Sequence, residues 1–195
     1  MSIRIGVDLG GTKIEIIALD VEGHTLIRER RPTPNTDYEA IIRATVDLIN
    51  DVEKRIGAQG TIGVAIPGAI SLATGRIKNS NTLCLIGQAF EDDLVTALKR
   101  PVRLSNDANC FTLSEAVDGA AQGAEVVFGV ILGTGVGGGI TVHGKVITGV
   151  NAIAGEWGHN PLPWPGIIKS RRVSTWIHSG LLNVQKTVTR APKPR

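Results

Sequence analysis

The sequence predicts an α/β fold arranged as two related lobes. Three observations carry that expectation. Strand-like segments open the chain in consecutive pairs and then alternate with helical ones. A unit of strand, Gly/Thr turn and strand occurs twice. The composition, 42% hydrophobic and 20% charged over 195 residues, is that of a globular chain rather than a disordered one.

The elements follow in order. Ile3 to Val7 has strand character and ends at Asp8, and after Gly10-Gly11-Thr12 the β-branched run Ile14 to Leu19 is again extended. Val21 to His24 reads as a turn into a third strand, Thr25 to Arg30. Pro32 and Pro34 break that pattern. Thr36 and Glu39 then have the spacing of a capping box for a helix with an apolar stripe Tyr38, Ile41, Ile42, Thr45, Leu48, Ile49, Val52 and Ile56, closed by Gly57 and Gly60. A buried strand, Thr61 to Ile66, stops at Pro67-Gly68. A looser stretch leads to a short helix from Glu91 to Arg100, with acids in its first turn and bases in its last, as the helix dipole favours. The strand Val102 to Leu104 turns at Asn106-Asp107 into a helix whose apolar positions are Cys110, Leu113, Val117 and Ala120. The second strand-rich block runs from Val126 to Leu132, through Gly133 to Gly139, to Ile140 to Val142. We therefore expect a first lobe over 1–120, with the boundary near Gly119 to Gly123, the start of a second lobe over 121–165, and an irregular tail over 166–195.

Charge is unevenly spread. The formal net charge is +3, yet Trp157 to Arg195 carries seven Lys or Arg and no acid, so residues 1–156 are net acidic at −4. The basicity belongs to the tail and gives no reason to expect nucleic-acid binding by the body. The longest apolar run, Val126 to Leu132, is too short to span a bilayer, and no signal-peptide core precedes Asp8, so a cytoplasmic protein without membrane attachment is expected. Cys84 and Cys110 stand alone, which fits a reducing compartment and supplies neither a disulfide framework nor a zinc site.

The glycine segments point to phosphate chemistry. Asp8 to Lys13 has the order Gly-Thr-Lys with a strand after it, not the Gly-Lys-Ser/Thr and helix of a P-loop. Gly133 to Gly138 contains a GxGxxG, but no helix opens behind it, which disfavours a dinucleotide site. What remains is two hairpin turns whose bare backbones expose N–H groups to phosphate oxygens, with the Thr12 and Thr134 hydroxyls as further donors. Ordinary tight hairpins are the bland alternative for either turn alone. The candidate phosphate-binding residues are Asp8, Gly10, Gly11, Thr12 and Lys13 at the first turn, and Gly133, Thr134, Gly135, Gly137 and Gly138 at the second. Asp8 can hold Mg²⁺ directly or through water, or merely initiate the turn. Asp107, where a strand meets a helix, reads on its own as a helix N-cap.

Four motifs in register carry a family resemblance: Asp8 to Lys13, Asn106-Asp107-Ala108-Asn109, Leu132 to Gly139, and Gly155-Glu156-Trp157-Gly158-His159. Together, from about Ile3 to Pro165, they resemble the ROK sugar kinases. Ser114 to Ala121 and His159 to Trp164 are most similar to the bacterial fructokinase/mannokinase branch, with N-acetylglucosamine kinase next. The resemblance implies an actin-like, ribonuclease H-like ATPase fold, its first lobe complete and its second incomplete, that binds ATP with Mg²⁺ and phosphorylates a hexose on its primary hydroxyl. It makes Asp107 the base that takes the hydroxyl proton. Asn106, Glu156 and His159 become sugar contacts, and Gly68 and Asn81 line the same site. Family members are often dimers, so a homodimer is one expectation.

The chain also departs from the family. His159 would be the first ligand of a structural Zn²⁺, but the CxCGxxGCxE motif that supplies the thiolates is absent, and no cysteine follows Cys110. We therefore expect a prematurely ended or frameshifted member. Three function classes follow. The first is an ATP:hexose phosphotransferase. The second is a catalytically weak or inactive sugar-binding fragment. The third, a sugar-responsive regulator, is disfavoured because the first strand begins at Ile3 and leaves no room for a helix-turn-helix.

Overall fold

The structure, a computed structural model, describes residues 2–132, 136–158 and the backbone of 188–190. It divides into two compact units, residues 1–107 and 108–195. The division falls at the start of a helix, ahead of the Gly119 to Gly123 segment where the sequence places the boundary.

The first unit begins with three strands joined by hairpins, β1 (Ile3–Leu9), β2 (Lys13–Leu19) and β3 (Thr25–Pro32). Their order continues with α1 (Tyr38–Ile56), β4 (Gly60–Ile66), the short hairpin β5 (Ala69–Ile70) and β6 (Ile77–Lys78), α2 (Phe90–Leu98) and β7 (Val102–Asn106). The five-stranded sheet runs β3-β2-β1-β4-β7. The hairpin strands pair antiparallel, whereas β4 lies parallel to both β1 and β7. Alternation sets the faces: Ile3, Ile5, Val7 and Leu9 are buried while Arg4 and Asp8 between them are exposed. Against that apolar face pack Ile41, Leu48, Ile49 and Val52 of α1 and Phe90 and Leu94 of α2, which form one continuous core.

The stripe expected for α1 is the buried one, but its cap differs. Asp37, not Thr36, is the N-cap, and its carboxylate accepts from Ala40 N at 3.2 Å. Gly57 closes the helix at φ 75°, donating to Glu53 O at 2.8 Å. The second helix also ends sooner than its charge pattern predicts. Lys99 adopts a left-handed φ of 56°, so neither Lys99 nor Arg100 lies in the last turn. Arg100 turns away instead to bind Glu53 Oε2 at 2.6 Å and Gly60 O at 3.1 Å.

In the second unit α3 (Asp107–Val117), which opens at the last residue of the first, is followed by β8 (Val126–Leu132), β9 (Val136–Val142), β10 (Lys145–Val146) and β11 (Val188–Arg190). These strands form an antiparallel sheet of order β10-β9-β8-β11. The segment read as an irregular tail thus contributes one strand. The face assigned to α3 is corrected. Its buried residues are Ala108, Asn109 and Thr112, while Val117 is 54% exposed and Ala120 lies past the helix. The physical reason is close approach. A Cβ on Gly129 or Gly139 would stand 2.1 or 2.7 Å from Thr112 Oγ1, so small polar residues fit the seam where large apolar ones would not.

Candidate active site

The parallel strands β1, β4 and β7 end at the same edge of the first sheet, where open α/β sheets bind ligands. Asp8 is in register with Ala65 and Ala65 with Ser105, so Asp8 and Ser105 are two strand spacings apart, about 10 Å. Just beyond Ser105, Asn106 Nδ2 donates to Gly68 O at 2.7 Å and to Asp107 Oδ1 at 2.9 Å. Gly68 follows β4 with φ 92°, and a Cβ there would meet Lys78 O at 2.6 Å, so only glycine carries its carbonyl to this position. One amide thereby ties the end of β4 to the carboxylate that opens α3. Gly68, Asn106 and Asp107 are brought together as the sequence reading grouped them.

At the other end of the edge lies the first glycine turn. Gly10 N donates to Lys13 O at 2.9 Å, and a Cβ on Gly10 would stand 2.9 Å from that oxygen, so the turn requires glycine. Gly11 borders a cleft of about 380 Å³ shared with Asn35, Thr36, Asn81, Thr82, Leu83 and Cys84. Asn81 therefore stands by the turn. The Thr82 hydroxyl is buried without a partner among the described residues.

Asp8 is tuned by its sheet. Its side chain reaches solvent, yet the protein packed around it removes enough water to raise its pKa above the ordinary carboxylate value. Glu15, directly across the strand pair, adds to the rise, while Lys13 and Arg30 oppose it. Glu15 itself is held below its usual value, chiefly by the hydrogen bond from Arg30. Arg28 Nε adds a second bond to Glu15 at 2.5 Å. Two carboxylates, Asp8 and Glu15, thus face each other across β1 and β2 at the end of the strand edge.

In the second unit, Gly137, Gly138 and Gly139 lie within β9, not in the turn the sequence reading extended over them. A Cβ on Gly138 would meet Gly155 O at 2.6 Å, and one on Gly139 would meet Ala108 O at 2.8 Å, so packing alone demands both glycines. Trp157 Nε1 donates to Gly137 O at 2.9 Å, and Glu156 Oε1 accepts from Gly158 N at 3.0 Å. Glu156 is exposed and outside any helix. Gly133, Thr134, Gly135 and His159 lie outside the described residues.

A family model described as the ROK family matches residues 4–174. The chain belongs to the ROK family. This ROK chain is 42% identical over 158 residues to the N-acetyl-D-glucosamine kinase of Pectobacterium atrosepticum, a match covering 81% of the chain and 52% of the relative. The enzyme of the same name from Salmonella paratyphi C is 44% identical over equal shares. A ROK glucokinase from Streptomyces griseus, solved with glucose and AMPPNP, matches with a TM-score of 0.74 at 30% identity, over 85% of this chain and 52% of that one. A ROK hexokinase from Thermus thermophilus matches with a TM-score of 0.71 at 34% identity, over 82% and 53%. The chain spans about half the length of the curated relatives it matches. Its fold is the actin-like ATPase fold of the ROK sugar kinases. The branch placed first from sequence was fructokinase/mannokinase, whereas these curated relatives carry the second name, N-acetylglucosamine kinase. The family match also runs past Pro165, where the motifs stop.

Among the described residues of the ROK chain, no helix is long and apolar enough to cross a membrane. Three residues at the site were passed over in the sequence. Glu15 faces Asp8, and Thr33 and Asn35 bind the glycine turn. A signal for the last two was present in Pro-Thr-Pro-Asn, which was read only as a break after a strand.

Proposed function

We propose that this ROK chain carries the sugar-phosphorylating half of an ATP-dependent hexose kinase, with Asp107 as the general base. The observation that carries the reading is the Asn106 amide, which fixes Asp107 against Gly68 at the strand edge that also holds Asp8 and the glycine turn. Phosphoryl transfer to an alcohol needs an oriented hydroxyl, a proton acceptor and donors around the transferring oxygens. The Asp107 carboxylate accepts the proton of the sugar's primary hydroxyl, while the bond from Asn106 Nδ2 to Oδ1 helps to orient it. The backbone N–H groups of the first turn, with Thr12 and Lys13, hold phosphate oxygens, and by the family resemblance Gly133, Thr134, Gly135, Gly137 and Gly138 are further phosphate contacts. Glu156 and His159 bind the sugar's other hydroxyls, and Asn81 lines the site.

ATP and Mg²⁺ fit the residues present. The Gly11 and Thr12 N–H groups of the turn have no acceptor among the described residues, and the Asp8 carboxylate stands at the end of β1 beside them. When bound, Mg²⁺ would neutralise phosphate charge beside Asp8. The zinc implied by the resemblance is not supported in the same way: the chain's cysteines are Cys84 and Cys110 alone, and no role is assigned to it. The acceptor is a hexose. N-acetylglucosamine is favoured by the names of the curated relatives and fructose by the sequence motifs.

A coupled ADP-release assay against N-acetylglucosamine, fructose, mannose and glucose tests the reading, with Asp107→Asn as control. Sugar-dependent release that survives the substitution removes Asp107 as base. Calorimetric sugar binding with no release from any acceptor replaces the kinase with the second reading, a sugar-binding chain without turnover.

A further inference from the structure

We propose that Thr33 and Asn35 are positioning residues that aim the amide N–H groups of Gly11 and Thr12 at a phosphate. The inference rests on the phosphate-binding reading of the first glycine turn. Three successive carbonyls of that turn are captured by the loop between β3 and α1. Thr33 Oγ1 donates to Gly10 O at 2.7 Å, Asn35 Nδ2 donates to Gly11 O at 2.8 Å, and Thr33 N donates to Thr12 O at 3.0 Å. The peptide bonds of the described residues are all trans, so each carbonyl points opposite to the N–H of the following residue. Holding the Gly10 and Gly11 carbonyls toward Thr33 and Asn35 therefore drives the Gly11 and Thr12 N–H groups the other way. Neither amide has an acceptor among the described residues. Two successive N–H groups so aligned make an anion-binding concavity.

The clamp is itself held. Asn35 N donates to Thr33 O at 2.9 Å, and the Cys84 thiol donates to Asn35 O at 3.3 Å. Thr33 is buried, whereas Asn35 is exposed, so the two halves of the clamp can be removed with different consequences for folding. The ligand class is a terminal phosphoryl group of a polyphosphate chain, nucleotide-borne or inorganic.

The test uses the full chain and tripolyphosphate as probe. Amide chemical shifts of Gly11 and Thr12 are followed during titration, together with melting curves. The expected result is that tripolyphosphate moves both amides of the parent protein and that Asn35→Leu and Thr33→Val weaken its binding about five- to tenfold. Asn35→Leu keeps the parent melting temperature, and Thr33→Ser restores binding because it restores the hydroxyl. Parent-like binding by Asn35→Leu and Thr33→Val overturns the clamp and leaves the phosphate reading standing. If tripolyphosphate leaves Gly11 and Thr12 of the parent unmoved, the phosphate reading falls and takes the clamp with it.

Discussion

Gly139→Ala tests how the second unit places the helix that follows the proposed base. A methyl at this position would stand 2.7 Å from Thr112 Oγ1, 2.8 Å from Ala108 O and 2.9 Å from Asn109 Oδ1, whereas ordinary contact begins near 3.4 Å. A rotamer change of Thr112 relieves only the first clash. Ala108 O is backbone, so the start of α3 must retreat from 2.8 Å to about 3.4 Å. Overpacking of this kind costs roughly 1–3 kcal/mol. For a chain of this length each kcal/mol lowers the melting temperature by roughly 2–4 °C. Ala108 is bonded to Asp107, so the same retreat moves the carboxylate, and a misplacement approaching 1 Å can cost about 100-fold in rate. Thermal denaturation gives the first number and ADP release the second. Adding Thr112→Ala to the variant should recover only part of the loss, because the backbone clash remains. A Gly139→Ala protein that melts with the parent would show that α3 does not approach β9 as described.

Asp107→Asn should lower sugar-dependent ADP release by about 100- to 10,000-fold, read in the coupled assay with sugar affinity measured separately by calorimetry. Arg100→Met should destabilise the first unit by about 3–5 kcal/mol in urea titrations, because Glu53 is left buried with its charge unpaired. Glu15→Gln should cost stability at neutral pH but not in acid. The folded carboxyl lies below its usual 4.5, so its contribution is present above that value and is lost as pH falls through the lowered one. Arg28 and Arg30 are more than half exposed, so the effect should be small and shrink with added salt, and a loss that persists at low pH would contradict the assignment.

Much of the first unit was legible because its periodicities are simple. The alternation Ile3, Ile5, Val7, Leu9 and the helical stripe from Ile41 to Val52 each mark a single buried face. The candidate residues Asp8, Asn106 and Asp107 were picked out through motifs and Gly68 through the family resemblance, and their placement at one strand edge follows from the parallel pairing of β1, β4 and β7. The second unit was harder to read for a physical reason. Its helix seam is made of Ala108, Asn109 and Thr112 against glycines, so the usual apolar signal pointed to Cys110, Leu113 and Val117 instead. Glycines that serve packing and glycines that serve a phosphate look alike in a sequence, and Gly138, which is packed against Gly155 O, was read as the second kind. The roles of Thr33, Asn35 and Glu15 depend on partners 13 to 24 positions away, which no local pattern displays.

The hydrogen bonds that shape the first turn all join residues within the first 35 of the chain, whereas the bond that fixes the proposed base reaches back 38 positions, from Asn106 to Gly68. Contacts that close short loops form sooner than those that close long ones. As the polypeptide leaves the ribosome, the first glycine turn can therefore take shape from neighbouring hairpins before β7 has been made. The Asn106 bond to Gly68 waits for a strand synthesised about seventy residues later. A nascent chain would hold the proposed phosphate-binding turn before the residue proposed as the base had been tied in place.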